Sequence, residues 1–465
     1  MGNGNEAGKR IKLSDHFTYG RLIRFTLPSI AMMIFTSIYG VVDGFFVSNY
    51  AGETPFASLN LILPFIMMLA AVGFMFGAGG SALVSMILGM GDREKANEVF
   101  SLIVYTLIAI GVVFSIAGAV AAEPVARALG ATEEMVPYCV IYTRISMISL
   151  TMFMLQSAFQ SLMITAERPK MGLYVTIAAG VTNMVLDWLF MGVLGMGVGS
   201  AAAATAVSEY VGGGIPLIYF FSKNSSLLHL GRTKPYFKML IKAVTNGASE
   251  FLSNIAFSFI NMMYNYQLMR LAGEKGVSAY GIIMYTGFVF CGVYFGYAMG
   301  VSPLIGYNYG AENKKELAGV FRKSMMLILA AALFMTASAE LLSGPMAAIF
   351  AGYDEELLEL TIRAIRIYSI SYLFLGFNVF GSALFTALNN GLVSAVISVL
   401  RVFAFELIAI MVLPEIIGLD GVWSAAAAAE AAAICVTVFC IWHFRKRYGY
   451  IQSVNAAGEA AAGDI

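Results

Sequence analysis

The chain has 465 residues, 59% of them hydrophobic and 12% charged, and a mean hydropathy of +0.79. So little charge cannot clothe the surface of a soluble protein this long, which points to a polytopic membrane protein. Basic and acidic side chains balance to a net charge of zero, so no nucleic-acid partner is expected.

Residues 1–21 hold Lys9, Arg10, Lys12, Asp15 and Arg21 ahead of any apolar run, which is not the pattern of a cleaved secretory signal. Apolar stretches long enough for bilayer-spanning helices then follow at 22–49, 58–88, 98–121, 138–166, 171–193 and 199–221. A polar segment, 222–238, precedes six more, at 239–270, 280–308, 317–341, 361–388, 392–413 and 421–444. The expected fold is therefore all-α, with twelve transmembrane helices in two six-helix lobes, 22–221 and 239–447. The segment 222–238 is the inter-lobe linker, and the alanine-rich 448–465 is expected to be a disordered tail.

The two lobes are copies. A shift of 221 residues carries Ala51-Gly52-Glu53 onto Ala272-Gly273-Glu274, Gly79 onto Gly300, Gly89 onto Gly310 and Val99-Phe100 onto Val320-Phe321. Without gaps, 51–100 and 272–321 agree at 12 of 50 positions. Two copies of a hydrophobic half-protein suggest a transporter with a binding cavity between them. Six helices per copy give both lobes one orientation, hence a repeat axis along the membrane normal. Basic residues set its direction: 21 fall on the side of the termini and 6 on the other, with Arg401 inside a span, so both termini are expected in the cytoplasm.

Pro28 lies in the first span, where a proline frees a backbone carbonyl and permits bending; it is either a hinge or a tolerated transmembrane proline. Acidic residues inside spans are Asp43, Asp187, Glu209, Glu250, Glu406 and Glu430. Each is costly in hydrocarbon unless it faces a polar cavity, finds a partner or is protonated. Asp43, Asp187 and Thr205 each lie about eight residues, roughly 12 Å, from the same membrane face, and Asn183 is one turn from Asp187 on one helix face. Two carboxylates, an amide and a hydroxyl at one depth suit a proton or Na⁺; the alternative is a set of unrelated interhelical hydrogen bonds. The 221-residue shift places Tyr264, Ala404 and Ile408 against Asp43, Asn183 and Asp187, and a small loop shift places Ala429 against Thr205. The second copy thus lacks this polar set.

Glu250, near mid-depth in the seventh span, either faces a cavity or bonds between helices. Glu209, one turn from Thr205 on the same face, reads as cavity lining. Arg401 with Glu406 or Glu430 reads as a lock between helices. The four cysteines have no metal-type spacing and read as apolar fillers. Gly89-Met90-Gly91-Asp92 and Tyr353-Asp354 match the paired motifs of intramembrane aspartyl proteases, but the two aspartates fall on opposite membrane faces, so both read as loop caps and no enzyme is expected.

Leu27-Pro28, the run Val42-Asp43-Gly44-Phe45-Phe46-Val47, the stretch from Gly77 to Gly91-Asp92, Ser249-Glu250 and the run from Gly300 to Ala311 together resemble the multidrug and toxic compound extrusion (MATE) family over residues about 20–447. The resemblance implies two lobes around a central cavity and export of organic, often cationic and amphiphilic, compounds driven by inward H⁺ or Na⁺. It implies a cation site at Asp43, Asn183, Asp187 and Thr205, a substrate cavity lined by Tyr39, Tyr142 and Gln160, and a bend at Pro28. Glu209 departs from the family pattern, where an apolar residue stands. No cofactor beyond H⁺ or Na⁺ is implied; the partners are small organic molecules and membrane lipids, and a monomer in the cytoplasmic membrane suffices. The competing transport reading is a flippase for a lipid-linked sugar, which would call for a larger and more basic cavity.

Overall fold

The computed structural model describes residues 11–352 and 354–451, and among these there are helices and no strand. In chain order the helices are α1 (Tyr19–Tyr50), α2 (Glu53–Gly89), α3 (Arg93–Ala128), α4 (Val136–Thr165), α5 (Pro169–Asp187, continued by a π-helical turn Trp188–Val193) and α6 (Val198–Phe221). The stretch Phe237–Gly310 is two helices, α7 (237–272) and α8 (274–310), meeting at Gly273. Gly273 has φ of 60° and ψ of −149°, a backbone conformation that costs a side-chain-bearing residue dearly, so the glycine itself makes the break.

Next come α9 (Lys314–Ala351), α10 (Glu355–Ser369 and Tyr372–Ala387, bent by 46° between them) and α11 (Gly391–Val399, a π-helical stretch Leu400–Phe405, then Glu406–Ile417). The last is α12 (Leu419–Tyr448). By length and apolar composition, nine described helices could cross a bilayer, or ten with the bent pair taken as one. Separating α7 from α8 and adding α6 completes a bundle of twelve.

The helix starts follow ordinary capping chemistry. Asp92 accepts from the Lys95 N–H (3.0 Å), its repeat counterpart Asn313 from the Glu316 N–H (3.1 Å), and Asp354 from the Leu357 N–H (3.1 Å). The protease-like aspartates are therefore two N-caps in different lobes.

Each lobe has its own core. In the first, Phe159 stacks on Phe220 and Phe100 meets it edge-on; Tyr264, Tyr280 and Trp423 are buried together in the second, the two tyrosine rings 4.8 Å apart. Apolar surface gains little by leaving lipid for protein, so helices in a bilayer associate through close backbone packing at small residues. The lobes meet on that principle. A Cβ at Gly89 would collide with the Tyr307 carbonyl oxygen, and one at Gly310 with that of Met86. Met86 and Tyr307 are themselves 221 residues apart, so these two contacts are mirror uses of one motif. Gly79 packs on Ala243 and Gly247, and Gly300 packs on Thr26, the counterpart of Gly247. These tight approaches all lie towards the face carrying the termini, here the terminal face; the opposite is the far face.

Two connecting segments are more ordered than their composition suggests. Residues 11–18 are clamped across both lobes: the Leu13 N–H donates to Glu167 (2.8 Å), the Phe17 N–H to Glu316 (2.8 Å), and both apolar side chains are fully buried. The inter-lobe segment runs along α3. Its His229 and Gly231 N–H groups donate to Asn97 (2.8 Å) and Ser101 (3.0 Å), and Tyr236 donates to Glu98 (2.7 Å). The expectation of a disordered tail from 448 is corrected for its first residues. Tyr448 ends α12, and Tyr450 is buried against Phe321, donating to the Ile441 carbonyl (2.7 Å), because an aromatic ring with a satisfied hydroxyl packs readily. The remainder of that tail, 452–465, lies outside the described residues.

Candidate cation site and central cavity

Asp43 on α1, Asn183 and Asp187 on α5, and Thr205 on α6 meet inside the first lobe. The Asn183 amide donates to the Thr205 hydroxyl (3.3 Å), and the Asp43 carboxyl lies within hydrogen-bonding reach of both Asn183 and Asp187. Asp187 is fully buried and Asn183 is 2% exposed. Both carboxylate oxygens of Asp187, Oδ1 of Asp43 and Oδ1 of Asn183 are buried with no hydrogen-bond donor. Ionised carboxylates only accept, so two facing each other repel unless a shared proton, a cation or another donor comes between them. Four unpartnered buried oxygens are a donor set that fits a small hard cation.

Sequence places these groups by simple means. Asn183 and Asp187 are four residues apart on one helix, so they share a face. The π-helical turn begins at Trp188, directly after Asp187, and widens the helix where α5 meets α1 and α6. Pro28 is buried, and α1 runs unbroken through it to Tyr50.

The five residues expected in the substrate cavity separate into two groups. Gln160 and Glu250 line a cavity of about 120 Å³ between the lobes, together with Ser157, Ser161, Met33, Phe74, Phe295 and Met299. Tyr39, Tyr142 and Glu209 do not line that cavity; they lie within the first lobe, beside the acid pair. Tyr39 packs over Gly180 and reaches the Gln156 amide, and Glu209 reaches the Ser149 hydroxyl. Both tyrosines stand within electrostatic range of Asp43 and Glu209. The cause is helix rotation: the faces of α1, α4 and α6 bearing these residues turn inward towards one another and the acid pair rather than towards the second lobe. Sequence reading missed Ser149 and Gln156, two polar residues seven apart on an apolar span, although that spacing already puts them on one face of α4.

The second lobe uses its polar residues differently. Tyr264, the counterpart of Asp43, donates to Glu406 (3.2 Å). Arg401, at the π-helical stretch of α11, holds Glu430 at 2.8 Å, and the Asn378 amide donates to the other oxygen of that carboxylate at 2.7 Å. Thr437 donates to Asn378 Oδ1 (2.7 Å). Of the two expected partners for Arg401, the direct ion pair is with Glu430. Where the first lobe leaves acceptors open, the second fills them with a tethered guanidinium.

The MatE family model matches this chain at residues 28–189 and 251–412, once in each lobe. The chain is similar to the multidrug export protein MepA of Staphylococcus haemolyticus, 23% identical over 431 residues, covering 92% of this chain and 94% of that protein. Among solved structures it is similar to a MATE transporter in complex with MaL6, with a TM-score of 0.88 at 21% identity over 93% of this chain and 98% of that one. A multidrug resistance MATE transporter in an outward-facing conformation superposes with a TM-score of 0.87 at 21% identity, covering 94% of this chain and all of the other.

Proposed function

This chain belongs to the MatE family of membrane transporters, and we propose that it is a secondary antiporter exporting organic, often cationic and amphiphilic, compounds in exchange for H⁺ or Na⁺. The observation that carries the reading is the set of unpartnered acceptors at Asp43, Asn183 and Asp187, with Thr205 holding the amide, in one lobe only. A scaffold requirement would recur in both copies of a repeat, whereas an ion site is needed once. The full-length similarity to multidrug export proteins supports the cargo class. So does a mid-depth cavity bearing the carboxylate of Glu250 among Phe and Met side chains, which attracts a cation and accommodates varied apolar shapes.

The excess of basic residues assigns the terminal face to the cytoplasm. With that face sealed by the glycine contacts, the conformation is the one that releases cargo outward. In the proposed cycle, Asp43 and Asp187 are ionised while cargo sits in the cavity. An incoming H⁺ or Na⁺ bridges them, draws α1 towards α5 and α6 with Pro28 as the bending point, and expels the cargo. The lobes then rock to the inward state, where the ion leaves. A lipid-sugar flippase would need free cationic groups at the cavity, but the Arg401 guanidinium is committed to Glu430.

Replacement of Asp43 by Asn tests the reading in proteoliposomes loaded with ethidium, under separately imposed pH and Na⁺ gradients. Gradient-driven efflux is expected to fall at least tenfold with normal yield of folded protein; undiminished coupled efflux would refute it.

A further inference from the structure

Glu209 has no place in the four-residue cation set, yet its surroundings are built. It lies on α6 one turn beyond Thr205 towards the terminal face, so it is about 6 Å along the helix from the site described above. Its carboxylate reaches the Ser149 hydroxyl on α4, whose single proton also has the Ser146 carbonyl at 3.2 Å as an acceptor. A hydroxyl cannot donate to both at once, so the carboxylate has no committed donor. Two turns along α4, the Gln156 side chain rests over Gly212, which is three residues after Glu209 on the same face of α6. Gln156 is 6% exposed, and its Oε1 is buried without a hydrogen-bond donor. Tyr39 on α1 reaches the Gln156 amide and stands within electrostatic range of both Asp43 and Glu209.

A carboxylate without a committed donor at membrane depth, in a lobe that also leaves the Gln156 amide oxygen unsatisfied, is costly, by ~2.5–3.5 kcal/mol for the acid alone on insertion scales. A proton on Glu209 would cancel the charge and supply a donor to the acceptors around it. Na⁺ suits the place less well, since one carboxylate with an amide and a phenol offers few oxygens compared with Asp43, Asp187, Asn183 and Thr205.

We propose that Glu209, with Gln156 and Tyr39, is a second ion station in the first lobe, binding one proton per cycle in addition to the ion held by Asp43 and Asp187. The proton is taken from water at the far face as the carboxylate forms its O–H bond, and is returned to water at the terminal face after the lobes rock. This rests on the antiport reading above, and adds one charge to each turnover.

The test is the ion-to-cargo ratio of the full chain in proteoliposomes, read from the membrane potential and pH gradient at which ethidium flux reverses. Glu209→Gln is expected to keep coupled efflux but move one proton fewer per ethidium, while Glu209→Asp keeps the wild-type ratio. An unchanged ratio in Glu209→Gln overturns the proposal, including the case in which only the KM for ethidium rises, because that marks Glu209 as a cargo ligand. Should Glu209→Gln not elute as a monodisperse protein, Glu209→Leu answers the same question, since it also removes the proton-binding group. One proton fewer per ethidium is again expected, and an unchanged ratio overturns the station. Asp43→Asn separates the two layers: wild-type coupling in that variant sinks the antiport reading itself, whereas a changed ratio in Glu209→Gln alone leaves it standing.

Discussion

At the scale of single residues, the two lobes give opposite answers to one problem, a carboxylate inside the membrane. In the first lobe Asp43 and Asp187 face each other with open acceptors. In the second, Glu430 has Arg401 on one oxygen and Asn378 on the other. A buried pair of this kind adds little net stability over an apolar pair of the same shape, but losing one partner strands the other. Arg401→Leu should therefore lower stability by ~3–5 kcal/mol, read as thermal unfolding of the detergent-purified protein, and Arg401→Leu with Glu430→Leu should recover most of that loss. A single variant as stable as wild type would show that Glu430 finds water or another cation. The acids themselves were legible in the sequence, because charges stand out in apolar spans and helical rise gives their depth. Which acid Arg401 would choose was not, since Glu406 follows five residues on along α11 and Glu430 stands on α12, and only the packing of the two helices decides between them. Ser149 and Gln156 escaped because neutral polar residues are unremarkable in membrane helices.

At the scale of elements, the number and order of helices followed from apolar runs, but their lengths did not. α3 spans Arg93–Ala128 against an expected 98–121, because helices continue past the bilayer into polar sequence that hydropathy excludes. The π-helical turns in α5 and α11 leave no mark in composition, and the break at Gly273 shows only as one glycine of an Ala-Gly-Glu repeat. The inter-lobe segment is the clearest case. Its charge and polarity mark it only as an inter-lobe linker, yet its His229 and Gly231 N–H groups are taken up by Asn97 and Ser101 on α3, so it travels with the first lobe up to the start of α7. Each such bond contributes about 1 kcal/mol. Asn97→Ala combined with Ser101→Ala should release the strap, raising the rate of trypsin cleavage after Arg232 by at least about tenfold. Unaltered cleavage kinetics would mean that the buried Leu228 and Leu230 hold the segment without those bonds.

At the scale of the whole molecule, the repeat and the proposed ion site are complementary parts of one sequence pattern. Residues shared by the two copies, Gly79 with Gly300 and Gly89 with Gly310, sit where the lobes touch, and each glycine meets the opposite copy. Residues that differ, Asp43 against Tyr264 and Asp187 against Ile408, sit inside the lobes. Identity preserves a two-fold seam, and divergence leaves one half with the open acceptors on which the proposed ion site rests. The seam is then the element that a rocking motion must open, and either glycine should weaken it equally. Gly89→Val or Gly310→Val forces a side chain against a carbonyl oxygen, an overpacking cost of ~1–3 kcal/mol borne only while the terminal face is closed. By the factor of ten per 1.4 kcal/mol, that shifts the balance towards the inward state by roughly 5- to 150-fold. A reporter cysteine at Ser302, in a background with Cys139, Cys291, Cys435 and Cys440 replaced, should then react faster with a membrane-impermeant maleimide added from the terminal side. The two variants should accelerate labelling by similar factors, because Met86 and Tyr307 occupy equivalent places in the repeat. Acceleration by one variant alone, or by neither, would mean that the closed face is held by the strap at Leu13 and Phe17 rather than by the symmetric pair.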